Sequence, residues 1–315
     1  MPSFDAVNYT LRPNKTVERK IVFSSLQSLS RIIDLSNHLY VGFGSLWFVD
    51  YLMAHRSLGI KSMVSIERDQ IGRRRADFNR PLACIEVVPG ESTEVIPTLG
   101  LEARESVVWF DYDSSIDGPT LADIGLLAPR CAINSVLIVT INAKKDELIM
   151  KDEDGKELDA ETSLRRIAGD LVPTPLQPKR LQASNYTKLL CEILTNQFRS
   201  KTAKSGRSET FVKLFDLTYS DGTPMVTVGG ILTSVERAAE ISALTESPDW
   251  LGSSEEIISV PPLTAKEKMA LDRLLPCEEA PTVEDVHKIG FALKAEQIRT
   301  YHRYYRQYPL FGEIL

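Results

Sequence analysis

Two glycines one residue apart, a carboxylate further on and a pair of aspartates at period two are the residues in this chain whose types and spacing could do chemistry. The stretch His38-Leu-Tyr-Val-Gly-Phe-Gly-Ser-Leu-Trp-Phe-Val-Asp-Tyr-Leu52 sets an apolar run against Gly42-Phe-Gly44-Ser45 and then a bulky apolar segment. A strand, a Gly-x-Gly turn and a helix in that order let backbone N–H groups meet a polar ligand at the positive end of a helix, because no Cβ holds the ligand away. Glu67 stands 23 residues beyond Gly44, where a carboxylate can accept from both hydroxyls of a ribose. Pro89, Gly90, Glu91 and Ser92 could line an adenine edge. Asp111 and Asp113 fall on one side of an extended segment. In a dinucleotide fingerprint the third glycine would fall at Trp47, which counts against a nicotinamide or flavin dinucleotide.

The elements that must position these residues follow from periodicity. Apolar runs at 39–43, 62–67, 84–90, 106–113 and 135–142 alternate with segments able to form helices at 46–59, 69–79, 92–100 and 120–131. That alternation predicts βαβ units and a parallel sheet. It stops at residue 143. Helices are expected around 160–170 and 184–200, with Pro173, Pro175 and Pro178 between them. Two β-rich runs, 211–219 and 225–232, then flank Ser220-Asp-Gly-Thr-Pro224, a hairpin signal. Residues 16–34 carry Ile21, Val22, Leu26, Leu29, Ile32 and Ile33 at helical spacing after the turn signal of Pro13. Beyond residue 233 the chain reads as helical, with capping-box patterns at Thr264 to Glu267 and Thr282 to Asp285. Residues 247–264 read as a linker.

In their order these residues resemble the class I S-adenosylmethionine-dependent methyltransferases, over roughly residues 36–232. The resemblance is carried by Gly42-Phe-Gly44-Ser45, Glu67, Gly90-Glu-Ser92, Asp111-Tyr-Asp113 and the late hairpin. It implies an α/β fold: a three-layer αβα sandwich with a seven-stranded, mostly parallel sheet ending in an antiparallel hairpin. Residues 1–35 would be an N-terminal helical segment, 36–232 the Rossmann-like domain with 143–209 as a lid or insertion, and 233–315 a C-terminal helical extension. It further implies S-adenosylmethionine as cofactor. Gly42, Gly44 and Ser45 would meet its methionine part, Glu67 the ribose, and Gly90 and Ser92 the adenine. Asp111 or Asp113 would face the reacting methyl as catalytic residues. Tyr40 occupies the cofactor-binding position where the family carries Asp or Glu, and Leu46 that of its third glycine.

Methyl transfer is an in-line displacement that proximity and alignment can drive, and it needs a base only when the nucleophile holds its proton. The aspartate pair leans toward an oxygen acceptor, otherwise unidentified. The alternative is a degenerate methyltransferase-like domain serving as scaffold or cofactor-sensing subunit of an assembly. Asp111 with Asn142 also resembles the divalent-metal site of small-molecule O-methyltransferases, but Ile141 replaces a carboxylate there and metal is not expected.

Bulk properties narrow the partners. The chain has 315 residues, 43% hydrophobic and 25% charged, as in ordinary soluble proteins. Its net charge of -6 does not favour nucleic acid or anionic membrane, although local basic patches leave nucleic acid open. No apolar run reaches the roughly 18 residues of a membrane span, so a cytoplasmic protein is expected. The four cysteines and four histidines form no CxxC, HxxxH or HExxH pattern. Arg12, Lys15, Arg19 and Lys20 around Glu18 could hold a phosphate, but a solvated helix start is favoured. Arg73, Arg74 and Arg75 read as a solvated helix face. Tyr301, Tyr304, Tyr305 and Tyr308 form a stripe, with Arg299, Arg303 and Arg306 beside it, that suits core packing better than base stacking. The C-terminal extension could then offer a surface to a protein partner. Asp50 and His55 read as satisfied polar groups or rim contacts.

Overall fold

The computed structural model describes residues 12–43, 46–204, 206, 208–254 and 256–309, apart from the side chains at 70, 71, 183 and 184. In chain order its elements are α1 (Pro13–Leu29), β1 (Leu39–Phe43), α2 (Val49–Leu58), β2 (Met63–Glu67), α3 (Gln70–Asn79), β3 (Ile85–Pro89), α4 (Ser92–Val95), β4 (Ser106–Ser115), α5 (Gly118–Arg130) and β5 (Val136–Asn142). There follow α6 (Ala160–Ala168), α7 (Ala183–Lys204), β6 (Thr210–Ser220), β7 (Pro224–Thr233), α8 (Val235–Thr245), α9 (Ala265–Asp272), α10 (Val283–Lys288) and α11 (Ala295–Tyr304).

The seven strands form one sheet in the order β3-β2-β1-β4-β5-β7-β6. Strands β1 to β5 pair in parallel, and β7 runs antiparallel between β5 and β6. This is the sandwich with a late hairpin that the sequence implies. Strand order reverses between β1 and β4, so the crevice at their C-terminal ends is where such a sheet takes a ligand. Period two divides the core. Tyr40, Trp109, Ile138 and Phe215 face a layer containing α1, while Val41, Val108, Phe110 and Val139 face one containing α5 and α7. Helix α7 buries Leu189, Leu190, Ile193, Leu194 and Phe198 and is itself a layer of the sandwich, so within 143–209 only the part ahead of it is available as a cover.

Helix α1 starts three residues earlier and ends five earlier than the spacing suggests. Pro13 lies in its first turn, where a missing N–H costs nothing. Its free N–H groups are capped from far away in sequence: the carboxylate of Asp221, in the hairpin turn, accepts from the backbone N of Asn14 at 3.1 Å and of Lys15 at 2.9 Å. Asp221→Ala is expected to cost about 1 kcal/mol, the usual value of a cap, measurable as a shift of the urea midpoint without a change in slope.

Residues 247–264 are not a free linker. The backbone runs beside β6, with Asp216 N–H donating to Gly252 O (2.9 Å) and Ile258 N–H to Thr218 O (2.8 Å). Trp250, Ile258 and Val260 are buried, which anchors the segment along the outer edge of the sheet. The tyrosine stripe packs inward as expected: Tyr301, Tyr304 and Tyr308 are buried in the same core as α1, although Tyr308 lies beyond the end of α11. No helix among the described residues is long and apolar enough to cross a membrane.

Candidate active site

Four adjacent parallel strands bring their C-terminal ends together, which places Gly42, Glu67, Gly90 and Asp111 around one crevice. Gly42 lies opposite Ser65 of β2 and Trp109 of β4, and Glu67 opposite Pro89 of β3. A Cβ on Gly42 would stand 3.2 Å from both the Trp109 carbonyl and the Tyr51 hydroxyl, so a larger residue would require these neighbours to give by a few tenths of an ångström. Gly44 and Ser45 lie outside the described residues. The chain enters α2 through Phe48, a fully buried aromatic at φ 47°, a left-handed conformation that non-glycine residues hold only under constraint. Phe48 is held by Tyr51, edge-on at 5.2 Å.

At the β2 end Glu67 is half-buried and accepts from Asp69 N–H at 3.0 Å. Burial raises its pKa above the ordinary carboxylate value. Gly90 has φ 136°, which favours glycine, and its N–H donates to the Glu67 carbonyl at 3.2 Å. Ser92 is committed elsewhere: its hydroxyl and that of Tyr112 both donate to one oxygen of Asp123, on α5. The other Asp123 oxygen is buried with no hydrogen-bond partner. Burial raises the Asp123 pKa against the two hydroxyl donors. Phe43 stacks on Phe110 at 4.4 Å and meets Tyr112 edge-on at 4.9 Å, giving this side of the crevice an aromatic wall. The sequence reading missed Tyr112 and Asp123. The available signal was a lone carboxylate on a helix face otherwise made of Leu121, Ile124 and Leu127.

The expected common side for Asp111 and Asp113 falls where β4 pairs irregularly with β5, between Asp111 and Ser115, and the surroundings of the two differ. Asp113 is exposed. Asp111 is joined to α1: Lys15 Nζ lies 2.8 Å from its Oδ2 and 3.4 Å from Glu18 Oε2. One turn on, Arg19 Nε lies 2.6 Å from Asp50 Oδ1. The expected solvated helix start is therefore overturned. Lys15, Glu18 and Arg19 are buried against the sheet, because carboxylates from β4 and α2 meet the two cations there. Lys15 also sits over the rings of Trp109 (5.1 Å) and Tyr219 (5.2 Å). Glu18 accepts from the Thr227 hydroxyl at 2.7 Å, and Thr227 is in turn 2.8 Å from Thr140, to which the Trp109 indole donates.

Burial alone would discharge these groups. For Lys15 it works against the charge, yet Asp111 and Glu18 outweigh it and its pKa stands above normal. Arg19 is raised likewise, with Asp50 its main support. Glu18 is pushed up to about 6 by burial, with Lys15 opposing. Tyr40, in the midst of this cluster, is buried and its hydroxyl is held in the neutral form by burial first and then by Asp50.

The remaining candidates resolve simply. Asp50 is paired with Arg19 rather than hydrogen-bonded, its Oδ1 being buried with no hydrogen-bond partner, and His55 Nδ1 lies 2.9 Å from the Ile60 carbonyl. Arg73, Arg74 and Arg75 are exposed. Asn142 is used locally, accepting from Lys144 N–H and donating to Glu147, both at 2.7 Å. Among the described residues no three or more His, Cys, Asp or Glu gather as a metal ion requires. A groove of about 620 Å³ lined by Lys61, Arg80 and Arg104 opens at the N-terminal ends of β1 to β3, the opposite pole from the crevice.

A family model described as "Putative O-methyltransferase" matches residues 7–315. No curated protein matches the chain in sequence. Similar solved structures include Trm1 from Pyrococcus horikoshii with S-adenosyl-L-methionine, at 11% identity and a TM-score of 0.47, over 71% of this chain and 57% of that one. A probable spermidine synthase from Corynebacterium glutamicum has 11% identity and a TM-score of 0.42, over 73% of this chain and 69% of the other. TYW2 from P. horikoshii with MeSAdo has 11% identity and a TM-score of 0.40, over 73% and 66%. At these values the likeness carries no argument about what the present chain binds.

Proposed function

The chain belongs to that O-methyltransferase family, and from this membership we propose that it moves the methyl group of S-adenosylmethionine to an oxygen of an acceptor molecule. One observation supports this most: the C-terminal ends of β3, β2, β1 and β4 gather Gly90, Glu67, Gly42 and Asp111 around a single crevice. The donor set suits the cofactor. Glu67, half-buried, would accept from the ribose hydroxyls. Phe43 and Tyr112 would flank the base. The cofactor supplies a methyl on a sulfonium, already activated for displacement.

The protein's part is then alignment, and the removal of a hydroxyl proton where the acceptor carries one. Asp111, held by Lys15, would be a fixed negative charge beside the reacting groups. Asp113, exposed two residues further along β4, is better placed to take a proton.

Calorimetric titration with S-adenosylmethionine tests the reading. Glu67→Ala is expected to weaken binding by about 10- to 100-fold, the range for deleting an ionised hydrogen-bond partner. Saturable binding that Glu67→Ala leaves unchanged would remove Glu67 from the site, and no binding to the folded wild type would remove the cofactor. The reading as a scaffold without turnover draws on Tyr40, a buried core residue at the position where the family carries an acid. Binding without methyl transfer to any acceptor would favour it.

A further inference from the structure

We propose, resting on the reading that the crevice takes S-adenosylmethionine, that Glu18 is a specificity-determining residue which gives the buried cluster a net negative charge and so favours the cationic cofactor over its neutral thioether product. Lys15 and Arg19 supply two positive charges, and Asp111, Asp50 and Glu18 supply three carboxylates. Lys15 already has Asp111 at 2.8 Å and Arg19 has Asp50 at 2.6 Å, so both cations are matched without Glu18. Among the described residues the hydrogen bond to Glu18 comes from Thr227, and a neutral amide oxygen could accept it equally well. What a carboxylate adds at this position is one surplus charge, buried at a cost in solvation that packing alone does not explain.

That surplus has a route to the crevice. Asp111 and Asp50 are its outermost members, with side chains 26% and 20% exposed, while Lys15 and Glu18 behind them are sealed. Among the described residues, Thr227 of β7, which donates to Glu18, is neutral, and the nearby phenol of Tyr219 on β6 is kept neutral by burial. Around the rest of the cluster, Tyr40 on β1 is likewise held neutral by burial, and Trp109 of β4 offers its ring to Lys15 and its indole N–H to Thr140. In surroundings this apolar the field of a single charge is weakly screened. Cofactor and product share every group except the methyl and the sulfonium charge. Their affinity ratio therefore reads the field and cancels general damage to the site.

The test measures dissociation constants for S-adenosylmethionine and S-adenosylhomocysteine from pH 5 to 8, with wild type, Glu18→Gln and Glu18→Asp. Glu18→Gln keeps the shape and the acceptor for Thr227. At pH 8 it is expected to lower the preference for the cofactor by about tenfold, the effect of one charge at about 10 Å in a medium of intermediate dielectric. Glu18→Asp, which keeps the charge, is expected to retain the preference. In wild type the preference falls as the pH drops through about 6, where Glu18 gains its proton, and in Glu18→Gln it stays flat. Equal preference in wild type and Glu18→Gln, with both ligands bound, overturns the proposal. Failure of the folded wild type to bind either ligand is a different result, and it removes the cofactor reading on which the proposal rests.

Discussion

Replacing Lys15 with Met is expected to lower stability by about 3–5 kcal/mol, the cost of leaving buried carboxylates without their counter-charge. Met fills a similar volume beside Trp109 and Tyr219, so the loss would come from Glu18 and Asp111 rather than from a cavity. Urea denaturation at neutral pH measures it. The double variant Lys15→Met with Glu18→Gln should recover part of the loss, because one of the two stranded charges is gone. A single-variant loss under about 1 kcal/mol would mean that solvent reaches the pair and that the burial described for it is wrong.

Gly230→Ala is expected to cost about 3 kcal/mol or more, at the upper end for overpacking. A Cβ there would run into the Val212 carbonyl and the ring of Phe211, beside the irregular pairing between β6 and β7 at Lys213 and Phe215. Its neighbour Gly229 is equally confined, with the Leu137 carbonyl 2.6 Å from an added Cβ. Gly118, at the start of α5, has nothing within 4 Å, so Gly118→Ala is the matched control and should leave the thermal midpoint nearly unchanged. Similar midpoints for the two alanine variants would show that β7 can shift to relieve the contact.

The strands were legible because each of them announces itself locally. Val136 to Asn142 is buried throughout and its sequence is a continuous β-rich run, while Asp-Gly at 221–222 marks a hairpin by turn chemistry alone. The charged helix was not legible for the opposite reason. Lys15, Glu18 and Arg19 look like any solvated first turn, and what buries them is supplied by Asp50 and Asp111, distant in the chain and brought near only by the sheet order. Ser92 shows the same limit in reverse. Its place after β3 was readable, but its partner Asp123 lies across the interface with α5 and no local pattern connects the two.

The strip of chain at 250–258 bears on how small a working piece of this protein can be. Among the described residues, strand β6 has β7 on one side and this strip on the other, through hydrogen bonds at Asp216 and Thr218. A fragment ending at Thr233 would hold all seven strands yet leave a row of unpaired amides and carbonyls along β6, where a second molecule could add edge to edge. Such a fragment should therefore self-associate, whereas one that runs on through Tyr308 should stay dispersed.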